Sequence, residues 1–419
     1  TILKYIPAPE GDPDAGTQVL ISTIDYNEYV GRIGVGKVDN GKIAVNQEVM
    51  LMNHHDPSKK KKVKISKLYE FEGLNKIEVQ EAGIGSIVAI SGIPEIHIGD
   101  TLCDVENPEP IPFQKISEPT IAMHFMVNDS PLAGQEGKFV TSRHLRERLM
   151  RELNTDVSLR VEDTDSPDCF KVSGRGELHL SVLIENMRRE GYEFAVSKAE
   201  VIYHTDERGK KLEPMELVYI DVPDEFSGNV IQKLALRKGE LQGMSVNNSG
   251  NTRLQFSIPA RGLIGYRGEF MTDTKGEGIM GSVFERYEPQ KGEITKRFTG
   301  SLIAYEEGEC TSYGIYNAQD RGPMFVSPAE KVYGGMVVGI SSKGDDIVVN
   351  VCKKKHLTAI RSAGADEALK LTPPRKLSLE EALEFINDDE LIEVTPKSIR
   401  IRKRILDNAA RMKEKMSNK

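Results

Sequence analysis

The sequence predicts a multidomain chain: an all-β barrel, then two α+β units of βαββαβ order, then a mixed α/β domain. Three observations predict it. Short Val- and Ile-rich runs recur between turn signals over residues 17–105. One order of strands and helices can be read twice, over 118–197 and again over 213–288. The remainder begins glycine-rich and strand-like and ends in long basic segments. Single domains usually run about 100–200 residues, so 419 residues suggest three or four. The boundaries read as 1–112, 113–198, 199–290 and 291–419.

The barrel strands are expected at Gln18–Ile24, Tyr29–Val38, Gln47–Met52, Lys62–Tyr69, Ser86–Ser91 and Thr101–Asp104. Asp39-Asn40-Gly41, His54–Ser58, Glu72-Gly73 and Gly99-Asp100 separate them. Strands of this composition and spacing fit a small barrel. After the last of these strands, Asn107–Pro112 is too rich in proline for helix or central strand and reads as a stiff linker.

The next unit alternates like a strand over Thr120–Val127 and has helical periodicity over Lys138–Leu153. Strands at Val157–Val161 and Cys169–Ser173, a helix at Leu178–Met187 and a strand at Glu193–Val196 complete βαββαβ, the ferredoxin-like split βαβ sandwich. The repeat runs through Met215–Val222, helix Gly228–Leu236, a turn and strand in Lys238–Asn247, Thr252–Ile258, helix Leu263–Thr272 and Gly281–Tyr287. In the last segment, Val332–Ser341 and Ile347–Val351 read as strands. Lys353–Arg375 reads as a long basic loop, and Ser378-Leu379-Glu380-Glu381 as a capping box opening a short helix.

Hydrophobic residues make up 38% and charged residues 29% of the chain, the balance of an ordinary folded domain. No apolar run approaches the roughly 20 residues a bilayer span needs. Thr1–Pro9 lacks a basic then apolar leader pattern, so no signal peptide is expected, and a start on Thr reads as a piece of something longer. The four cysteines, at 103, 169, 310 and 352, form no Cys-x-x-Cys pair. Reduced thiols in a cytoplasmic protein are the expectation.

Net charge is −8, but the positive charge is segregated. Ser58–Lys67 holds six lysines and no acid. Lys353–Lys376 holds seven basic residues against two acids, and Lys397–Lys419 nine against two. Such segregation suits selective contact with a polyanion. The candidate contacts are Lys59, Lys60, Lys61 and Lys62; Lys353, Lys354, Lys355, His356 and Arg361; Arg375 and Lys376; and Arg400, Arg402, Lys403 and Arg404. Solvated surface faces are the competing reading. Base-stacking aromatics are missing from 353–365, which favours backbone and shape recognition. Arg175, between Gly174 and Gly176 at a strand-to-helix turn, joins the candidates. A cation at a helix start opposes the dipole, which hints at a partner.

Gly31-Arg32-Ile33-Gly34-Val35-Gly36-Lys37 has the spacing GxxxxGK, but Val38 stands where a phosphate loop needs Ser or Thr. The stretch falls in a predicted hairpin with no helix after it, so nucleotide binding there is not expected. No Asn-Lys-x-Asp pattern occurs. His54-His55-Asp56 reads as a turn, because adjacent strand side chains oppose and cannot converge on one metal. The other histidines are scattered, and no catalytic constellation or metal site is legible.

Gly174–Leu180 with Glu185-Asn186-Met187-Arg188-Arg189-Glu190-Gly191 resembles the third domain of elongation factor G-like translational GTPases. Gly31–Val38 with Gly41 resembles their second-domain barrel. Glu213-Pro214, Val222-Pro223, Gly228, Arg237-Lys238-Gly239, Gly243 and Pro259–Arg267 resemble their fifth domain. Asp320–Phe325, Lys354–Thr358, Thr372–Arg375 and Pro396–Arg404 resemble the C-terminal domain of the BipA/TypA family. This resemblance implies a GTP-regulated factor of the ribosome linked to large-subunit assembly, stress and cold adaptation, and virulence control. It implies contacts with rRNA, the acceptor arm of A-site tRNA and stalk-base proteins, by a cytoplasmic monomer. It also implies that GTP and Mg belong to a G domain absent from these residues, so that this chain alone is not an enzyme. A structural adaptor, or a piece of another elongation factor G-like factor, is the alternative.

Overall fold

The computed structural model describes residues 5–27, 29–114, 118–246, 250–294, 297, 299–354 and 369–417. They form two compact units, 1–118 with 147–160 and 119–146 with 161–419.

The first unit contains β1 (Gln18–Asn27), β2 (Gly31–Asn40), β3 (Lys42–Ala44), β4 (Glu48–Asn53), β5 (Asp56–Lys64), β6 (Lys67–Glu72), β7 (Asn75–Glu78), β8 (Glu81–Gly83), β9 (Ile87–Ser91) and β10 (Asp100–Cys103). Eight of them form one sheet in the order β5-β4-β10-β1-β2-β9-β6-β7, and β3 pairs with β8. Val49 of β4 and Leu68 of β6, far apart in that order, share one apolar core with Val19, Val38, Val88 and Leu102. The sheet therefore curls around its inward residues.

The expected strand Lys62–Tyr69 is two strands, broken at Ile65-Ser66. The turn expected at His54–Ser58 is confined to His54 and His55, so Lys59–Lys62 lie in a strand rather than a loop. The GxxxxGK stretch is the first part of β2, and crowding explains its glycines. A Cβ on Gly34 would fall 2.4 Å from Ile96 Cδ1, and one on Gly36 would fall 2.3 Å from the carbonyl oxygen of Leu20. After β2 the chain turns at Gly41, whose φ of 66° favours glycine, into β3 rather than a helix.

The second unit begins with β11 (Ile121–Met126). Helix α1 (Ser142–Glu152) is divided between the two units. There follow β12 (Arg160–Asp163), β13 (Cys169–Gly174), α2 (Glu177–Arg189) and β14 (Phe194–Ser197). The strand order is β12-β13-β11-β14, with β11 antiparallel to both neighbours. After the short β15 (Glu200–Val201) and β16 (His204–Thr205), the order recurs as β17 (Lys211–Pro223), α3 (Asp224–Leu236), β18 (Glu240–Val246), β19 (Asn251–Pro259), helices α4 (Ala260–Leu263) and α5 (Tyr266–Asp273), and β20 (Ile279–Pro289). Here β18, β19, β17 and β20 are neighbours in that order. Val218, Ile220, Val230, Leu234, Phe256 and Tyr266 fill the core beneath it. The helix expected at Leu263–Thr272 is two pieces, because Gly265 adopts φ 69° and breaks it.

The last segment contributes β21 (Gly300–Ala304), β22 (Gly308–Glu309), α6 (Ser312–Gln319), β23 (Lys331–Val332), β24 (Met336–Ser341), β25 (Ile347–Val349), α7 (Leu379–Phe385), β26 (Glu390–Val394), β27 (Ile399–Lys403) and α8 (Asn408–Ser417). β22 and β23 pair only with each other, whereas its other strands do not form a separate sheet. β26 pairs with β14, from Phe194↔Val394 to Ser197↔Leu391, and the sheet continues through β27, β24, β21 and β25. β14 would otherwise be an edge with unpaired backbone groups, and β26 satisfies them. The capping box at Ser378 is present: its hydroxyl accepts the Glu381 N–H, and the Glu381 carboxylate accepts the Ser378 N–H.

Candidate nucleic-acid interface

In the first unit the cations are carried by β5, at one edge of the sheet. Lys59, Lys60, Lys61 and Lys62 are all exposed on it. Alternate residues of a strand face opposite ways, so the four charges spread over both faces of the edge. Lys59 pairs with Asp56 at 2.9 Å, Lys61 with Glu95 at 2.6 Å and Lys62 with Glu48 at 2.6 Å. Lys60 has no ion pair among the described residues. The ammonium of Lys62 holds the Glu48 carboxyl below its ordinary range, and that of Lys61 does the same for Glu95. Surface pairs of this kind contribute little because water screens them, so a phosphate can displace them at little cost. The lysines also guard the edge against pairing with another strand.

In the second unit, Arg175 is exposed just before α2, with no side-chain ion pair among the described residues. Its backbone N–H donates to His179 Nδ1 at 3.2 Å, and its carbonyl accepts from the Thr120 hydroxyl at 3.1 Å. Lys353 and Lys354 are exposed and likewise without an ion pair. Lys355, His356 and Arg361 lie outside the described residues. Arg375 donates to Glu381 at 3.0 Å and Lys376 to Glu330 at 2.8 Å, both on the surface.

Helix α6 holds the basic segment on either side of 355–368. Its N-cap Thr311 donates to the Lys353 carbonyl. Gln319, at its C-terminal end, donates to the Lys370 carbonyl at 3.0 Å and accepts from the N–H and hydroxyl of Thr372, each at 3.0 Å. At about 1.5 Å rise per residue, those anchors lie about 12 Å apart along the axis. The glycine-rich stretch read as strand-like conceals this helix. A signal was present in Thr311-Ser312, a capping pair ahead of the run Tyr313–Gln319.

Three candidates are corrected. Arg400, Arg402 and Lys403 are interior residues, exposed by only 9%, 2% and 1%. Arg400 binds Glu393 at 3.2 Å and Glu136 at 3.1 Å. Arg402 binds Asp129 and approaches Glu393 to 4.0 Å. Lys403 is ringed by Asp346, Asp389 and Glu390 at 2.7, 2.8 and 3.0 Å. A cluster of basic residues reads as a surface because buried charge is costly. Here Asp389, Glu390 and Glu393 come from the neighbouring β26 or the residue before it, but Glu136, Asp129 and Asp346 lie far away in sequence and become partners only when β26 and β27 extend the sheet. Arg404 alone of this group is exposed, its guanidinium on the Asp388 carbonyl at 3.1 Å.

A second carboxylate pair lies beside α5. Glu177 accepts the Gly265 N–H at 3.2 Å, and Glu384 accepts the Gly268 N–H at 2.9 Å. Burial pushes the Glu177 carboxyl up from its ordinary 4.5 to about 7, and it also raises Glu384. The folded state then holds a proton on Glu177 that the unfolded chain has released. Stability from this group is greatest below pH about 4.5 and falls as pH rises towards about 7. Glu177→Gln keeps an acceptor for Gly265 and removes the titration. Its thermal midpoint relative to the parent is therefore expected to climb between pH 5 and 7, and a constant difference would contradict this assignment.

The cysteines are unpaired; Cys103 and Cys310 are buried, and burial pushes their thiols up to about 11 and about 12. Among the described residues no helix is long and apolar enough to cross a membrane, and no group of His, Cys, Asp and Glu could hold a metal ion.

Three family models match in succession. Residues 31–103 match elongation factor Tu domain 2, 210–298 the elongation factor G C-terminus, and 299–408 the TypA/BipA C-terminal domain. Relatives named large ribosomal subunit assembly factor BipA align over nearly the whole chain. The Synechocystis sp. protein is 50% identical over 402 residues, covering 96% of this chain and 67% of its own length. The Bacillus subtilis protein is 49% identical over 414 residues, 99% of this chain and 67% of its own. The Escherichia coli K12 protein is 48% identical over 406 residues, 97% of this chain and 66% of its own. This chain thus spans about two thirds of the length of each relative, with about half of the aligned positions identical, and it belongs to the BipA family.

Proposed function

We propose that these residues are the ribosome- and RNA-binding portion of a BipA-type translational GTPase that acts in assembly of the large ribosomal subunit. The observation that carries the reading is the roughly 50% identity, along nearly the whole of this chain, to relatives named for that role. The charge distribution supports it: exposed, weakly partnered cations line β5 and flank the segment anchored by α6. GTP and Mg are assigned to a G domain outside this sequence. The finer architecture is read as a translation-factor barrel over 1–112, ferredoxin-like domains over 113–198 and 199–290, and a family-specific domain over 291–419. The partners are rRNA, the acceptor arm of A-site tRNA and stalk-base proteins, in the cytoplasm. Stress and virulence control would follow from the assembly role.

Lys353, Lys354, Lys355, His356 and Arg361 would act together with Arg375 and Lys376 on the RNA backbone. Arg175, Arg404 and Lys59–Lys62 would supply separate phosphate contacts. Co-sedimentation with purified large subunits tests this reading. The chain is expected to pellet with the subunits at low salt and to be released as salt rises. A chain that stays in the supernatant at low salt would overturn it.

A further inference from the structure

A cavity of about 340 Å³ opens among α2, α7, β24 and β27 in the second unit. That is the scale of pockets that enclose small organic molecules. Its charged lining is one-sided. Arg188, Lys376, Lys397 and Arg400 face one carboxylate, Glu330. Arg188 is braced from behind: Nε and Nη2 donate to Glu185 at 2.7 and 3.1 Å, and Nη1 to the Pro396 carbonyl at 3.1 Å. Lys376 donates to Glu330 at 2.8 Å, and Lys397 is exposed with no ion pair among the described residues. Arg400 is only 9% exposed; Nε and Nη1 are taken by Glu393 and Glu136, while Nη2 has no partner among the described residues. A buried guanidinium donor without an acceptor is costly.

Apart from Ser398, the rest of the wall is apolar. Phe325 and Ile399 are half-buried there, and Met336 is buried. Methionine and an aromatic edge adapt to a flat hydrophobic body. A ligand that satisfies this cavity must bring negative charge to the cations and apolar surface to the floor.

We propose that this cavity is a binding site for a small amphiphilic organic anion: a carboxylate, sulfonate or phosphate head on an aromatic or aliphatic body of two or three rings in size. The head sits among Lys376, Lys397 and Arg188, and the body lies against Phe325, Met336 and Ile399. This site shares Lys376 with the polyanion contacts proposed above but differs from them in its occupant, because the cavity admits a single small body rather than a nucleic-acid backbone.

The test uses the 419-residue chain with anilinonaphthalene sulfonate as the anionic probe and uncharged N-phenylnaphthylamine as its match. Methyl NMR reports location. The sulfonate is expected to shift the methyl signals of Met336 and Ile399 and to leave those of the exposed Met412 and Met416 in place. Lys376→Ala/Lys397→Ala, a surface double variant that leaves the core intact, is expected to weaken the sulfonate about tenfold, the loss of one charge-assisted interaction. The neutral probe should bind at least about tenfold more weakly than the sulfonate and be indifferent to that variant. Equal binding of the two probes, unmoved Met336 and Ile399 methyls, or an unchanged sulfonate affinity in the double variant would each overturn the proposal.

Discussion

Glu393→Ala is expected to destabilise the second unit by about 3–5 kcal/mol, the usual cost of removing one partner from a buried ion network. Glu393 is fully buried on β26. Its carboxylate accepts from Arg400 Nε at 3.2 Å, from the Tyr333 hydroxyl and from Asn128 Nδ2 at 3.4 Å. Arg402 Nε lies 4.0 Å away. Burial holds the Glu393 carboxyl above its ordinary range, although the two guanidiniums oppose that shift. Without Glu393, Arg400 retains Glu136, whereas among the described residues Arg402 retains as a carboxylate partner only Asp129, which is 77% exposed. Two buried cations would then share too little negative charge. Glu393→Gln, which keeps the volume and one acceptor, should lose less than alanine. The urea midpoint of the second unit's transition measures both. A loss below about 1 kcal/mol for alanine would place these charges in water rather than in the interior.

The other large effect is expected at Gly36→Val, which should cost the first unit about 3 kcal/mol, the upper end for forcing atoms into a packed site. The new Cβ would sit 2.3 Å from the Leu20 carbonyl oxygen and 3.2 Å from Val19 Cγ1. The first of these is backbone in the neighbouring strand, so no rotamer change relieves it; β1 and β2 must part. Lys37→Met, one residue on and half exposed, is expected to change stability by less than about 0.5 kcal/mol. Far-ultraviolet circular dichroism during urea unfolding separates the two. Equal, small effects at both positions would mean that crowding does not explain this glycine.

Those two sites mark the boundary of what the sequence discloses. Periodicity alone locates most strands of the first unit and both βαββαβ orders, because each depends on local alternation of apolar residues. The Ser378 cap is local too, and the Gly31–Lys37 stretch is legible as a strand because Val38 and Gly41 are its neighbours. Long-range pairing is not legible. Nothing near Glu390–Val394 announces that β14, almost two hundred residues earlier, is its partner. The error at Arg400, Arg402 and Lys403 has the same origin, since local charge density cannot reveal Glu136 and Asp129. The α6 anchors were missed because glycine at 314 disguises a helical turn; a Cβ there would meet the Val351 carbonyl at 2.2 Å, so packing rather than propensity demands it.

We propose that exposed, displaceable cations on β5 and at the α6-anchored segment bind RNA by its phosphates. The most direct measurement is the slope of log affinity for large-subunit RNA against log salt concentration. Each phosphate contact contributes about 0.7–0.9 to that slope. Replacing Lys59, Lys60, Lys61 and Lys62 with alanine is therefore expected to flatten the slope by about 3, and replacing Lys353 and Lys354 by a further 1–2. An affinity that does not fall with salt, or a slope unchanged by both sets of substitutions, would contradict the account.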